Sequence, residues 1–253
     1  MKLEYDRFSF DMPVDDILFI AVSGSHAYGT ARPDSDIDLR AVKLPNLRDI
    51  TSILDNPNKV YRRLENKGTP EEVDIEIVPI VKWLRTLLGG NGNYLENLYQ
   101  EKMYESGELK GLRELVENYG ISKRFAGHYL GFAKSQRKDF YQKWKAKCLL
   151  YTYRVLMSGI VLFRDNKYEH NLYKLMEYEH SDYLPDLMDK YVSEKSLIND
   201  KVKWEMDNEF DRLSAKLIKY RDESKLPTEP NYEVFDEWLF GYYAYQFRRT
   251  GIV

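Results

Sequence analysis

Two short segments that alternate acidic with aliphatic residues constrain this chain more than any other feature in it. They are Asp36-Ile37-Asp38-Leu39-Arg40-Ala41-Val42 and Glu72-Val73-Asp74-Ile75-Glu76-Ile77-Val78. Alternation with period two is the pattern of a half-buried β-strand. It puts Asp36, Asp38 and Arg40 on one face of the first strand, and Asp74 and Glu76 on one face of the second. Acids converging from neighbouring strands make a poor core, because like charges repel and their burial is costly without compensation. Divalent cations supply that compensation. Mg²⁺ takes hard oxygen ligands, keeps several waters and commonly uses a few carboxylates together with substrate phosphate oxygens. A third acid allows a second ion, and two ions roughly 3.5 to 4 Å apart activate an attacking hydroxyl and stabilise a leaving pyrophosphate. Asp74 and Glu76 share a face, so both are candidates for the third carboxylate.

The segment before the first acids completes the pattern. Ile17 to Val22 is an apolar run that stops at Ser23-Gly24-Ser25, and Ser25-His26-Ala27-Tyr28 can open a short helix with Ser25 accepting from first-turn N–H groups. The reading is strand, tight turn, helix start. Gly24 permits positive φ and close backbone approach, while the Ser25 hydroxyl and the helix N–H groups can hold a triphosphate. Arg32-Pro33-Asp34-Ser35 is a turn cluster. The run Asp34-Ser35-Asp36-Ile37-Asp38 also opens like a calcium loop, but Leu39 stands where that loop needs glycine and Pro45 where it needs glutamate.

From Ile80 the spacing is helical, with Val81, Leu84, Leu87 and Leu88 on one face and Gly89-Gly90 ending it. Beyond about Ser122 nearly everything reads helical, with long segments over 145–164 and 184–220. Lys225-Leu226-Pro227-Thr228-Glu229-Pro230 breaks the pattern before a last aromatic helix. No internal repeat or low-complexity tract is visible.

Composition sets limits on function. The 253 residues carry a net charge of −3, and the pI near 5.9 excludes a protein that coats nucleic acid through excess Lys and Arg. Cys148 is the only cysteine, so neither an internal disulfide nor a thiolate metal cluster can form. No stretch approaches the roughly 18 to 20 uninterrupted apolar residues of a membrane span, and the N-terminus lacks a signal peptide's layout. A soluble, cytoplasmic protein with no membrane partner is expected.

The run from Gly24 to Arg40, Gly-Ser-His-Ala-Tyr-Gly-Thr-Ala-Arg-Pro-Asp-Ser-Asp-Ile-Asp-Leu-Arg, closely resembles the motif of the RNA repair pathway branch of polymerase-beta nucleotidyltransferases. The resemblance continues at Asp74-Ile75-Glu76-Ile77 and from Lys82 to Glu96, where Gly92 replaces the family's usual Pro. Weaker echoes occur at Gly131 to Gln136 and Ser224 to Pro227. It implies an α+β fold: a nucleotidyltransferase domain over 1–120, with a small mixed sheet flanked by helices, then a helical domain over 121–253. It also implies an NTP substrate and Mg²⁺ or Mn²⁺, two ions in all. Asp36 and Asp38 would carry both metals, Asp74 would complete the second site, and Ser25 would meet the outer phosphates. Family register and strand phase favour Asp74 over Glu76.

Lys123, Arg124, Lys134, Arg137, Lys138, Lys143, Lys145 and Lys147 fall in one stretch whose only acid is Asp139, interleaved with aromatic residues from Phe125 to Trp144. Such a mixture can pair phosphates with cations and stack bases on rings. It can equally be a core of rings with a solvated lysine face. Arg154, among Leu150, Val155 and Leu156, reads as partly buried, so it either pairs with an acid or reaches a phosphate. His26 lies beside the phosphate turn. Gly24, Ser25, His26, Lys147 and Arg154 are therefore the candidate nucleotide-binding residues. The leading expectation is transfer of NMP from NTP to an RNA or tRNA end. Adenylylation of a protein hydroxyl and a non-catalytic nucleotide-binding module are the alternatives.

Overall fold

The computed structural model describes residues 17–46, 50, 53, 58–69, 72–181, 183–192 and 200–249. Its described residues fall into two compact units, one drawn from 1–27, 33–121 and 229–253, the other from 28–32 and 122–228.

The first unit is built on a five-stranded sheet. Its strands are β1 (Ile17–Ser23), β2 (Ile37–Lys43), β3 (Tyr61–Glu65), β4 (Val73–Pro79) and β5 (Lys102–Glu105), in the order β3-β4-β2-β1-β5. β2 and β4 run parallel, and the other neighbours are antiparallel. All seven residues of β1 are buried, as an apolar run in a central strand must be. Alternation sorts β2 and β4 into two faces. Leu39, Ala41, Ile75 and Ile77 join Ile20 and Val22 in one apolar cluster, while Asp38, Arg40, Asp74 and Glu76 are only half-buried.

Helix α1 (Gly24–Tyr28) follows β1 directly. Helix α2 (Ile80–Leu88) continues from β4 and buries Trp83 edge-on to Phe19, ring centroids 5.8 Å apart. Helix α3 (Gly92–Tyr99) begins at Asn91, whose side chain accepts from the Asn93 N–H. Helix α4 (Glu108–Leu115) runs into a wider π-type turn over Val116–Gly120.

The second unit is helical: α5 (Phe125–Lys143), α6 (Ala146–Asp165), α7 (Leu172–Tyr178), α8 (Leu184–Val192) and α9 (Asp200–Glu223). α6 is its centre, buried from Cys148 to Phe163 except for the half-buried Tyr151. It is long and apolar enough to cross a membrane, with mean hydropathy 1.3, but 78% of that window is buried inside the protein, so packing accounts for its composition. A Cβ built on Gly159 would lie only 2.6 Å from Leu217 and 2.9 Å from Tyr129, so glycine there lets α5 and α9 close on α6. The buried Glu179 carboxylate accepts from Arg164, Arg212 and Lys216, joining the end of α7 to α6 and α9.

Two details differ from the sequence reading. The helix expected over 184–220 is two helices, and residues 193–199 between them lie outside the described set. The last helix, α10 (Tyr232–Arg249), belongs with the sheet unit, where Phe235 packs at Gly120 and Leu88 contacts the same glycine.

Candidate active site

The geometry starts from strand register. Ser23 pairs with Asp38 across β1 and β2, and Asp38 pairs with Asp74 across the parallel β2 and β4. Neighbouring strands lie about 4.8 Å apart, so Asp38 and Asp74 are side by side on one face. Asp36 stands just before β2 and is exposed.

The turn after β1 is shaped around Asp38. Gly24 has φ +60°, and a Cβ built on it would lie 1.8 Å from Asp38 Oδ2. The carboxylate therefore occupies the space that any other residue would fill, and both φ and contact demand glycine. Next to it Ser25 is buried, and its hydroxyl has no hydrogen-bond partner among the described residues. The expected cap does not form: the helix starts at Gly24, which moves Ser25 inside the first turn instead of before it. A buried hydroxyl left unsatisfied is costly in a native fold unless a ligand completes it. His26 Nε2 lies 3.4 Å from the Ser35 carbonyl and ties α1 to the turn that delivers Asp36.

Glu76 is occupied elsewhere. Arg62 on β3 holds its carboxylate through Nε at 2.8 Å and Nη2 at 2.5 Å, and Arg40 is its register partner on β2. Tyr94 on α3 reaches the same face, where burial first and then Glu76 push its phenol above the usual range. Arg62 and Tyr94 were not singled out from the sequence. Arg62 lies in a charged insertion and Tyr94 past a glycine turn, and only the pairing of β3 and the packing of α3 bring them to the acids.

A hard divalent cation suits this donor set, which is carboxylate oxygen beside an unsatisfied hydroxyl. Among the described residues no three His, Cys, Asp or Glu side chains are gathered closely enough to hold an ion by themselves. Mg²⁺ characteristically completes its shell with water and phosphate oxygens, so a protein site of this kind need not close without nucleotide.

The helical-unit candidates are placed differently. Arg154 is 1% exposed, with its guanidinium 3.6 Å from the Tyr28 ring centroid, a cation–π contact that offsets the desolvation of its charge. Lys147 is exposed on the first turn of α6, 5.5 Å from the Tyr151 ring. In the basic stretch Phe125, Tyr129 and Phe140 are core. Arg137 is engaged by Asp207 at 2.7 Å, while Lys134, Lys138, Lys143, Lys145 and Lys147 are exposed.

The model of the RNA repair pathway DNA polymerase beta family matches residues 4–241, nearly the whole chain. The chain belongs to this family. As a member of the RNA repair pathway DNA polymerase beta family it is a nucleotidyltransferase, and its five-stranded mixed sheet with a helical region is an α+β fold. An uncharacterised protein of Methanocaldococcus jannaschii is 25% identical over 224 residues, 85% of this chain and 88% of that one. An uncharacterised 38.9 kDa protein of Enterobacteria phage T4 is 28% identical over 123 residues, 46% of this chain and 36% of that one. Among solved structures, a spectinomycin adenyltransferase from Enterococcus faecialis aligns over 81% of this chain and 92% of its own, at 12% identity and TM-score 0.41. A nucleotidyltransferase-like protein from Exiguobacterium sibiricum aligns over 83% and 70%, at 11% identity and TM-score 0.31.

Proposed function

We propose that this family member transfers a nucleotidyl group from an NTP to a hydroxyl on an RNA end, tRNA included, and releases pyrophosphate. The observation that carries this reading is the placement of Asp38 beside Asp74 on parallel strands, with its carboxylate packed on Gly24. Ser25 and the backbone of the turn would receive the outer phosphates, since the Ser25 hydroxyl is buried without a partner. Mg²⁺ or Mn²⁺, two ions held by Asp36, Asp38 and Asp74 with phosphate oxygens, would neutralise phosphate charge and lower the pKa of the acceptor hydroxyl. The acceptor oxygen forms a bond to the α-phosphorus as the bond from that phosphorus to the bridging α–β oxygen breaks. The hydroxyl proton leaves toward the Asp74 carboxylate. Asp74 is preferred to Glu76 as the third carboxylate because Arg62 already holds Glu76.

In this reading residues 1–120 catalyse, and 121–253 contribute to nucleotide or acceptor binding. Lys147 and its exposed neighbours would meet the acceptor backbone. Buried Arg154 is held within the helical unit by its cation–π contact with Tyr28. His26 holds the Ser35 carbonyl and so the approach to Asp36. A lone cysteine that is buried fits a cytoplasmic setting.

The test is incorporation of label from each α-labelled NTP into total RNA and total protein, with Mg²⁺ or Mn²⁺. Asp36→Asn, Asp38→Asn and Asp74→Asn are each expected to lower incorporation into RNA at least ~100-fold, several kcal/mol of lost metal-assisted stabilisation. Glu76→Gln is expected to stay within about tenfold of wild type. Label in protein would move the acceptor to a protein hydroxyl. NTP binding without pyrophosphate release would make the chain a binding module.

A further inference from the structure

Two ranks of side chains cross the polar face of the sheet. The first holds Asp38 and Asp74. The second lies two residues further along β2 and β4, about 6.6 Å away, and runs from Arg62 on β3 through Glu76 on β4 to Arg40 on β2. The proposed chemistry uses the first rank and leaves the second without a task.

Pairing within the second rank is lopsided. Glu76, its side chain 12% exposed, is held by Arg62, which stands 73% exposed at the sheet edge. Arg40 is the register neighbour of the same carboxylate, yet it forms no ion pair among the described residues. Its one hydrogen bond there runs from Nη1 to the Leu39 carbonyl at 3.1 Å. A guanidinium has five N–H donors in a planar fork, so most of the capacity of Arg40 is unspent. A half-buried cation without a counter-charge is costly, and an anion from outside the chain removes that cost. Tyr94 adds a donor. Its phenol lies near enough to Glu76, Arg40 and Arg62 to feel all three charges, and burial first, then Glu76, hold it protonated. The hydroxyl makes no hydrogen bond among the described residues, and the ring is seated against Trp83 with centroids 6.5 Å apart.

Charge selects the anion. Arg62 and Glu76 cancel, which leaves one positive charge on Arg40. A phosphodiester carries one negative charge, whereas a terminal phosphate carries closer to two. Arg is also the side chain whose fork matches two phosphate oxygens at once. We propose that Arg40 and Tyr94 form a subsite for the acceptor strand and take the internucleotide phosphodiester nearest its terminal hydroxyl. The guanidinium fork donates to both non-bridging oxygens, and the phenol donates to one of them. With the hydroxyl at Asp74, one rank back along β4, the last nucleotide of the acceptor lies over β2 and β4. The inference rests on the acceptor being RNA, and it gives a reason why a strand rather than a free nucleoside is taken.

A single-stranded RNA labelled at its 5′ end, with a free 3′ hydroxyl, is titrated with the full chain and followed by fluorescence anisotropy in Mg²⁺ without NTP. A second RNA is identical except for a neutral methylphosphonate in its last linkage, and the sugar before that linkage is 2′-deoxy in both to prevent strand cleavage. The wild-type protein is expected to bind the neutral RNA roughly tenfold more weakly. Arg40→Gln is expected to bring the ordinary RNA down to the same affinity, so that the two RNAs are no longer told apart, and to lower the slope of log affinity against log salt by roughly 0.7. Arg40→Lys keeps the charge without the fork, so it retains the salt slope and part of the discrimination. Tyr94→Phe keeps the ring against Trp83 and is expected to weaken binding of the ordinary RNA several-fold. Circular dichroism melts establish that the variants fold. No RNA binding, equal binding of the two RNAs by the wild-type protein, or discrimination that survives in Arg40→Gln would overturn the proposal. Pyrophosphate release is measured on the same samples after NTP is added. Discrimination without release would sink the catalytic reading and leave the subsite standing, whereas release with equal binding of the two RNAs would sink the subsite alone.

Discussion

His128 shows how one half-buried side chain makes the stability of the helical unit depend on pH. On α5 its ring lies tilted over Phe132 and edge-on to Tyr129, at 5.9 and 5.7 Å, and its Nε2 has no partner among the described residues. Burial first, and Arg154 second, hold its pKa at about 4 against an ordinary 6.5. The unfolded chain therefore takes up a proton near pH 6.5, whereas the folded protein resists until about pH 4. Stability from the neutral ring is complete above about 6.5 and is lost as pH falls through that interval. At about 1.4 kcal/mol per pKa unit the loss is on the order of 3 kcal/mol. Urea melts at pH 7.5 and 4.5 are expected to show a drop that shrinks markedly in His128→Phe, and equal drops in the two proteins would refute the assignment. Gly24 and Ser25 were legible in the sequence as a tight turn between a strand and a helix start. That Gly24 also makes way for the Asp38 carboxylate was not, because the contact joins residues from two strands.

At the scale of elements, spacing in the sequence located β1, β2, β4, α2 and α6, because each buries one face, or all of itself, and its apolar residues repeat accordingly. β3 and β5 carried no such signal. The five residues of β3 alternate only between half-buried and exposed, and β5 is four residues with no buried member. Edge strands owe their conformation to a neighbour's hydrogen bonds more than to their own side chains. Helix packing offers a sharper test at Gly159, where α5, α6 and α9 meet. Gly159→Val puts a Cβ within 2.6 Å of Leu217 and 2.9 Å of Tyr129, so despite a gain in helix propensity it is expected to lower stability by about 2 kcal/mol. A chemical melt measures it, and a neutral or stabilising result would mean that the three helices separate at little cost.

For the molecule as a whole, the two compact units are not two consecutive stretches of chain. The last helix returns to the sheet unit, where Phe235 is 2% exposed and its ring lies 3.1 Å from a Cβ built on Gly120. Truncating a buried Phe typically costs about 3 to 5 kcal/mol. Phe235→Ala is therefore expected to raise amide exchange in β1 and the Val116–Gly120 turn while leaving α6 protected. Equal protection of β1 in both proteins would show that α10 contributes nothing to the sheet unit. The aromatic richness of α10 made a final helix legible, but its destination depends on a contact more than 100 residues away in sequence.

The sequence by itself determined the family, the strand-turn-helix at Gly24 and the acids Asp36, Asp38, Asp74 and Glu76, because period-two alternation and glycine chemistry act over a few residues. Only the tertiary structure decided which acids stand together. Parallel register sets Asp38 beside Asp74, and β3 brings Arg62 to Glu76. Tertiary packing also turned Phe125, Tyr129 and Phe140 of the basic stretch into core and left Lys134, Lys138, Lys143, Lys145 and Lys147 outside. Burial and register are properties of segments meeting across the chain, and one segment's pattern does not contain them.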